Sequence, residues 1–234
     1  MMKRIFVPSQ GPEDWKRLLA EPDKQWRMGY SARSMACCWE AAGSRFPSEI
    51  RSVLRSSENP AFEEVELLLA IPEWKVALPP TRGHASQNDL FVLARDRQGS
   101  LISIMVEGKV SEQFGETLAE WLEKETPGKR ERLKFLQETL GLPGELPGSI
   151  RYRLLHRMAS ALIEAERFGA KSAIMLVHSF SPECLWFSDF QSFLELMGGG
   201  KAEVGRLYRL PHIVQKTVAY HLKALRELFA QKLR

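Results

Sequence analysis

Two dense apolar runs joined by a glycine-containing turn constrain this chain more than any other feature. Leu90, Phe91, Val92 and Leu93 form the first run; Leu101, Ile102, Ile104, Met105 and Val106 form the second. With a turn at residues 96–99 between them, such runs suit strands buried on both faces of a sheet. Charged residues stand at their ends: Asp89 opens the first, and Glu107 and Lys109 close the second. A charge delivered there costs free energy unless it is paired or holds a metal. Side chains alternate along a strand, so Glu107 and Lys109 share a face, about 6–7 Å apart. A register set by the turn would bring Asp89 beside them. A carboxylate from each of two strands, with a lysine at the rim, is a small hard-oxygen site that suits Mg2+ or Mn2+ and phosphate-bearing substrates. The plainer alternative is an ion pair between Glu107 and Lys109 at a strand end.

The elements around this hairpin follow from hydrophobic period and breakers. Residues 31–42 have Ala32, Met35, Ala36 and Trp39 spaced for one buried helix face, and Pro47 opens a further helix to residue 54. Phe62, Val65, Leu68 and Leu69 predict a helix over 62–71, stopped by Pro72, with Glu66 beside its apolar stripe and Glu64 pointing away. Residues 74–78 then alternate as a strand, and the polar loop 81–88, carrying His84, leads to Asp89. Past Lys109, Ser111 is a helix cap, and a helix through Trp121 and Leu122 would point its positive end at the charged site. Helices follow over 129–140 and 149–168, then a buried strand over 172–180 that suits parallel pairing after a crossover. Shorter helices are predicted over 15–20 and 189–197, and a final amphipathic one over 211–233.

The order helix, strand, Asp89 strand, Glu107 strand, helix, strand resembles the PD-(D/E)XK superfamily, the restriction-endonuclease-like nucleases. Asp89 matches the first acidic position of their motif, Glu107 the second and Lys109 the lysine, while Asn88 stands where a Pro or Gly often precedes the aspartate. A second E-x-K, Glu73-Trp74-Lys75, has no acidic strand before it. The resemblance spans roughly residues 60–180. It implies an α/β fold with a mixed central sheet flanked by helices, extended by helical segments over 1–60 and 181–234. It also implies Mg2+ or Mn2+ held by Asp89, Glu107 and the Gly108 carbonyl, with Lys109 assisting the attacking water. The first helix of such folds often supplies another acidic ligand, for which Glu66 is the candidate and Glu64 the reserve. A glutamine downstream of the lysine sometimes meets substrate, a loose match to Gln113. The activity implied is metal-dependent phosphodiester hydrolysis, of DNA first. The alternative is a non-catalytic nuclease-like module that binds nucleic acid or a protein.

Other residues bear on a polyanionic partner. Arg151, Tyr152, Arg153, His156 and Arg157 crowd the start of the 149–168 helix, where cations oppose the macrodipole. Either they line a phosphate-backbone groove, or Arg151 and His156 pair with Glu112 or Glu116. His84 is a further loop candidate for substrate contact. The chain of 234 residues carries a net charge of +4, and eight Lys or Arg against two Glu fall in residues 201–234. That asymmetry permits a polyanion and does not require one. The three cysteines, Cys37, Cys38 and Cys184, are odd in number with two adjacent, which argues for free thiols in a reducing cytoplasm. Core packing suits Cys37 and Cys38 better than chelation. No apolar run reaches the ~20 residues of a membrane span. Paired strand cuts would favour a homodimer.

Overall fold

The computed structural model describes residues 9–57, 59–80 and 83–211 and the strand Thr217–Ala224. Three strands, β1 (Glu66–Val76), β2 (Ser86–Arg95) and β3 (Leu101–Lys109), form an antiparallel meander. The fourth, β4 (Ser172–Ser179), runs parallel to β3, which makes the sheet mixed. Thr217–Ala224 continues it as β5, parallel to β4. The predicted hairpin is present: the Gly99 N–H donates to the Asp96 carbonyl, and the Asp96 carboxylate accepts from the N–H groups of Gln98 and Ser100. Gly99 adopts φ 86°, a left-handed value that costs glycine little.

Helices cover both faces. Before β1 come the 3-10 segment η1 (Pro12–Leu18), the single turn α1 (Pro22–Gln25), α2 (Ser31–Ala42), α3 (Ser48–Arg55) and the short η2 (Pro60–Phe62). Between β3 and β4 lie α4 (Leu118–Leu122), α5 (Pro127–Leu140) and α6 (Tyr152–Arg167), and α7 (Phe187–Leu196) follows β4. The period-two rule sorts the sheet. Leu90, Val92, Ile104 and Val106 meet Met35, Ala36 and Trp39 of α2 in one core, together with α3. Phe91, Leu93, Met105 and Val177 meet Leu154, Leu155, Met158 and Ala165 of α6 in the other. Cys38 is buried in the α2-side core and Cys37 is partly buried, both as free thiols.

Gly108 marks how closely α2 approaches. A Cβ there would lie 2.6 Å from Met35 Cγ and 3.2 Å from Ser31 Cβ. Met35 is itself fully buried, so it has little room to yield. Gly108→Ala is therefore expected to destabilise the protein by about 1–3 kcal/mol through overpacking. An unchanged urea midpoint would show that α2 can retreat at no cost.

Three predicted elements differ. Residues 62–71 are not a helix: η2 ends at Phe62 and the chain enters β1 at Glu66. Their apolar residues satisfy a half-buried strand as well as a helix stripe. Pro72 is accommodated because β1 lies at the sheet edge, where a missing N–H need not break a ladder. The helix expected from Ser111 begins only at Leu118, because Thr117 and Glu120 form the capping box that starts it. Finally, Thr217–Ala224 within the predicted 211–233 helix is strand, so the last segment is not wholly helical. The remainder of that helix lies outside the described residues.

Candidate functional site

Asp89, Glu107 and Lys109 all project toward α6. Phe91 and Met105 belong to the α6-side core, and odd-numbered neighbours on β2 and β3 share that face. Leu90 pairs with Val106, so Asp89 stands opposite Glu107 one step further along the ladder. The Asp89 Oδ2 accepts the Gly108 N–H at 2.8 Å, which ties the two strand ends together.

Glu107 is fully buried and surrounded by cations. Its Oε1 accepts from Lys109 Nζ and from Arg153 Nη1 at 3.1 Å, and its Oε2 from Arg157 Nε at 2.5 Å. Lys109 Nζ also donates to the Gly108 carbonyl at 2.9 Å and lies over the Phe114 ring. Arg157, 4% exposed, extends Nη2 to Asp89 Oδ1 at 3.4 Å and Nη1 to Ser86 Oγ at 3.3 Å. Burial alone would raise the Glu107 carboxyl, but Arg157, Lys109 and Arg153 together hold it well below the usual range. Asp89 goes the other way: burial and the Glu107 charge raise it, against the pull of Arg157, Lys109 and Arg153.

A third carboxyl joins this group. Glu73 on β1 falls between the pairs Pro72 with Leu90 and Trp74 with Asn88, which sets it opposite Asp89. Gln87 Nε2 donates to Glu73 Oε2 at 2.7 Å. Burial, then the Asp89 charge, pushes its pKa up to about 8, so it is mostly protonated at neutral pH. Its φ of 53° is uncommon for a residue with a Cβ and marks local strain. Glu73, Asp89, Lys109, Gln113, Arg153 and Arg157 are among the residues lining a cleft of about 380 Å³ beside the start of α2. Glu112 closes its α2 side, accepting the N–H groups of Ser31 at 2.7 Å and Val110 at 2.9 Å.

Several predicted contacts lie elsewhere. Glu66 is at the far end of β1, in an exposed pair with Arg95 at 2.6 Å, because the strand carries it away from Glu73. It cannot be the extra ligand, and Glu64 is exposed at the same end. Arg151 pairs with Asp189 at 2.9 Å and donates to the Gly115 carbonyl at 2.7 Å, so it braces α7 and not the cleft, and it does not meet Glu112 or Glu116 through its side chain. His156 Nδ1 contacts Ser86 Oγ at 2.8 Å; burial and the charges of Arg157 and Arg153 hold it well below its usual value, hence neutral. It supports Arg157 through Ser86 and does not line the cleft. His84 is exposed and also off the cleft. Of the predicted substrate contacts, Gln113 and Arg157 reach it, as does Arg153 from the cationic helix start. Glu73 is the residue that sequence reasoning passed over as a site candidate, and Arg153 was read only as one of the cations crowding the helix start. The visible signal for Arg153 was its spacing of four from Arg157, which puts both on one helix face.

The resemblance calls for a divalent ion, and the donor set can be compared with that need. Both Glu107 oxygens and the Gly108 carbonyl oxygen already accept from cations. Among the described residues, no group of three or more His, Cys, Asp or Glu could hold a metal ion. As arranged, the residues do not fit the ion. They present instead three cations to three carboxylates, Asp89, Glu107 and Glu112, the last kept below its usual value despite burial by hydrogen bonds from Ser31 and Val110, and to the mostly neutral Glu73 carboxyl. Arg153, with a side chain 39% exposed, is the accessible member. Its guanidinium is the group an incoming anion would meet.

No described helix is long and apolar enough to cross a membrane. No curated protein and no solved structure matches the chain. Residues 8–227 match a family profile, and by that match the chain belongs to the family described as "Domain of unknown function (DUF6946)".

Proposed function

We propose that the cleft binds the phosphodiester backbone of nucleic acid, DNA first, on a restriction-endonuclease-like scaffold. Support for the scaffold is the order α3, the β1–β2–β3 meander, α6, and β4 parallel to β3. The observation that carries the ligand reading is the arginine and lysine cluster at Glu107, whose half-exposed member Arg153 lines the cleft. Guanidinium groups suit phosphate through paired, charge-assisted hydrogen bonds. Gln113 and Gln87, also on the cleft, add amide donors.

A second reading is metal-dependent hydrolysis, with Asp89 and Glu107 as ligands. What favours it is the juxtaposition of Asp89 and Glu73, since Asp89 meets a single cation, Arg157 at 3.4 Å, and the Glu73 carboxyl is bonded to the Gln87 amide.

One experiment separates the two. Labelled single- and double-stranded DNA and RNA are incubated with the protein in Mg2+, Mn2+ or chelator, at several salt concentrations. Binding that survives chelator, weakens with salt and leaves the strands intact is the expected result. Arg153→Ala should lose about tenfold in affinity, near 1.4 kcal/mol for one charge-assisted contact, with the thermal midpoint little changed. Cleavage in Mn2+ that disappears in Asp89→Ala would establish the hydrolytic reading. Failure to bind any of the probes would end both.

A further inference from the structure

The nuclease resemblance and the arrangement at Glu107 disagree about which cation joins the two carboxylates. We infer that the Arg157 guanidinium is the resident cation of this site: it occupies the place between Asp89 and Glu107 that the resemblance assigns to a divalent ion. The cleft therefore takes its anion without metal. This deepens the phosphate-binding reading and rests on it only for the identity of the anion.

The geometry is specific to the planar fork of an arginine. Nε meets Glu107 at 2.5 Å, Nη2 meets Asp89 at 3.4 Å, and Nη1 meets Ser86 Oγ at 3.3 Å, so each nitrogen has its own acceptor. The guanidinium is permanently charged, so raising the pH does not release the carboxylates from it. Ser86, in turn, is held by Ser160 Oγ at 3.0 Å and His156 Nδ1 at 2.8 Å. Because His156 is neutral, this support adds no further charge.

A divalent ion entering here would meet three positive groups in a poorly hydrated site, where charge repulsion is weakly screened. It would also have to take oxygens from Lys109, Arg153 and Arg157. Removing Arg157 changes that balance. Asp89 and Glu107 would then face each other with Lys109 and Arg153 to one side, and an oxygen-ligated ion could enter between them.

The test reads metal binding directly, by Mn2+ electron paramagnetic resonance and by the shift of the thermal midpoint on adding Mn2+. The full chain is expected to show no saturable Mn2+ binding. Arg157→Ala is expected to bind one Mn2+ at least about tenfold more tightly than the parent, and Asp89→Asn added to it should abolish the gain. If the alanine variant does not fold, Arg157→Gln, which keeps much of the buried volume, takes its place. Tight Mn2+ binding by the unmodified chain, lost on Asp89→Asn, would overturn the inference. So would a folded Arg157 variant that gains no affinity. Nucleic-acid binding enters neither readout, so failure of the phosphate-binding reading would leave this result standing.

Discussion

Glu107→Gln should destabilise the protein by about 3–5 kcal/mol, the usual cost of leaving buried charges without their partner. The loss is expected to be large because one carboxylate serves Lys109, Arg153 and Arg157 together. Of these, Lys109 and Arg157 are themselves buried, 2% and 4% exposed, and cannot simply turn to water. Glutamine keeps the shape and one acceptor oxygen but removes the charge, so the change isolates electrostatics from packing. Urea unfolding checks it. Adding Arg157→Gln to Glu107→Gln should recover part of the loss, because a buried cation is then removed with its lost partner. A loss below about 1 kcal/mol would mean that Lys109 and Arg157 find other partners or solvent, as exposed pairs do. The cluster would then be ornamental to the fold.

The second large effect concerns pH. The unfolded chain releases the Glu73 proton near the ordinary carboxyl value of 4.5, whereas the folded protein keeps it until about 8. Between those values the native state binds more protons than the unfolded state, so stability falls as pH rises across that window. Asp89, also raised, adds to the slope with the same sign. Glu107 contributes oppositely: its lowered value gives stability that is lost only in acid, below the ordinary carboxyl range. Glu73→Gln removes the first contribution and keeps an amide able to meet Gln87. The variant is expected to be more stable than the parent at pH 8–9 by a few kcal/mol at most, on the scale of ~1.4 kcal/mol per pKa unit. The two should converge near pH 5. Urea midpoints across pH 5–9 measure this, and parallel curves would place the Glu73 carboxyl in ordinary solvent.

How far the site could be read in advance depends on the distance over which a pattern acts. Asp89, Glu107 and Lys109 were legible as one group because a tight turn leaves a hairpin few registers, and alternation then assigns faces. Glu73 was hidden although its own E-x-K was in plain view. Its partner Asp89 comes after it in the chain, and the residues leading into it fit a helical stripe and a strand about equally. Glu66 was misplaced for the same reason: on a helix it could lean over the site, whereas on β1 it is seven residues from Glu73 along the strand. The arginine cluster was visible as an oddity, cations at a helix start. Which of Arg151, Arg153 and Arg157 met Glu107 was settled by the packing of α6 on the sheet.

Local chemistry by itself determined the hairpin, the faces of β2 and β3, and the helices over α2, α5 and α6. Each of these follows from turn residues and from apolar periods of two or 3.6 acting over a few positions. Only the tertiary structure decided that β1 is an edge strand, that Glu73 joins Asp89, and that Glu107 is enclosed by three cations. Those outcomes depend on contacts between residues 14 to 50 positions apart, such as Gln87 with Glu73 and Arg157 with Glu107. A buried charge selects its partner by proximity in the packed state, and no period along the chain encodes that choice.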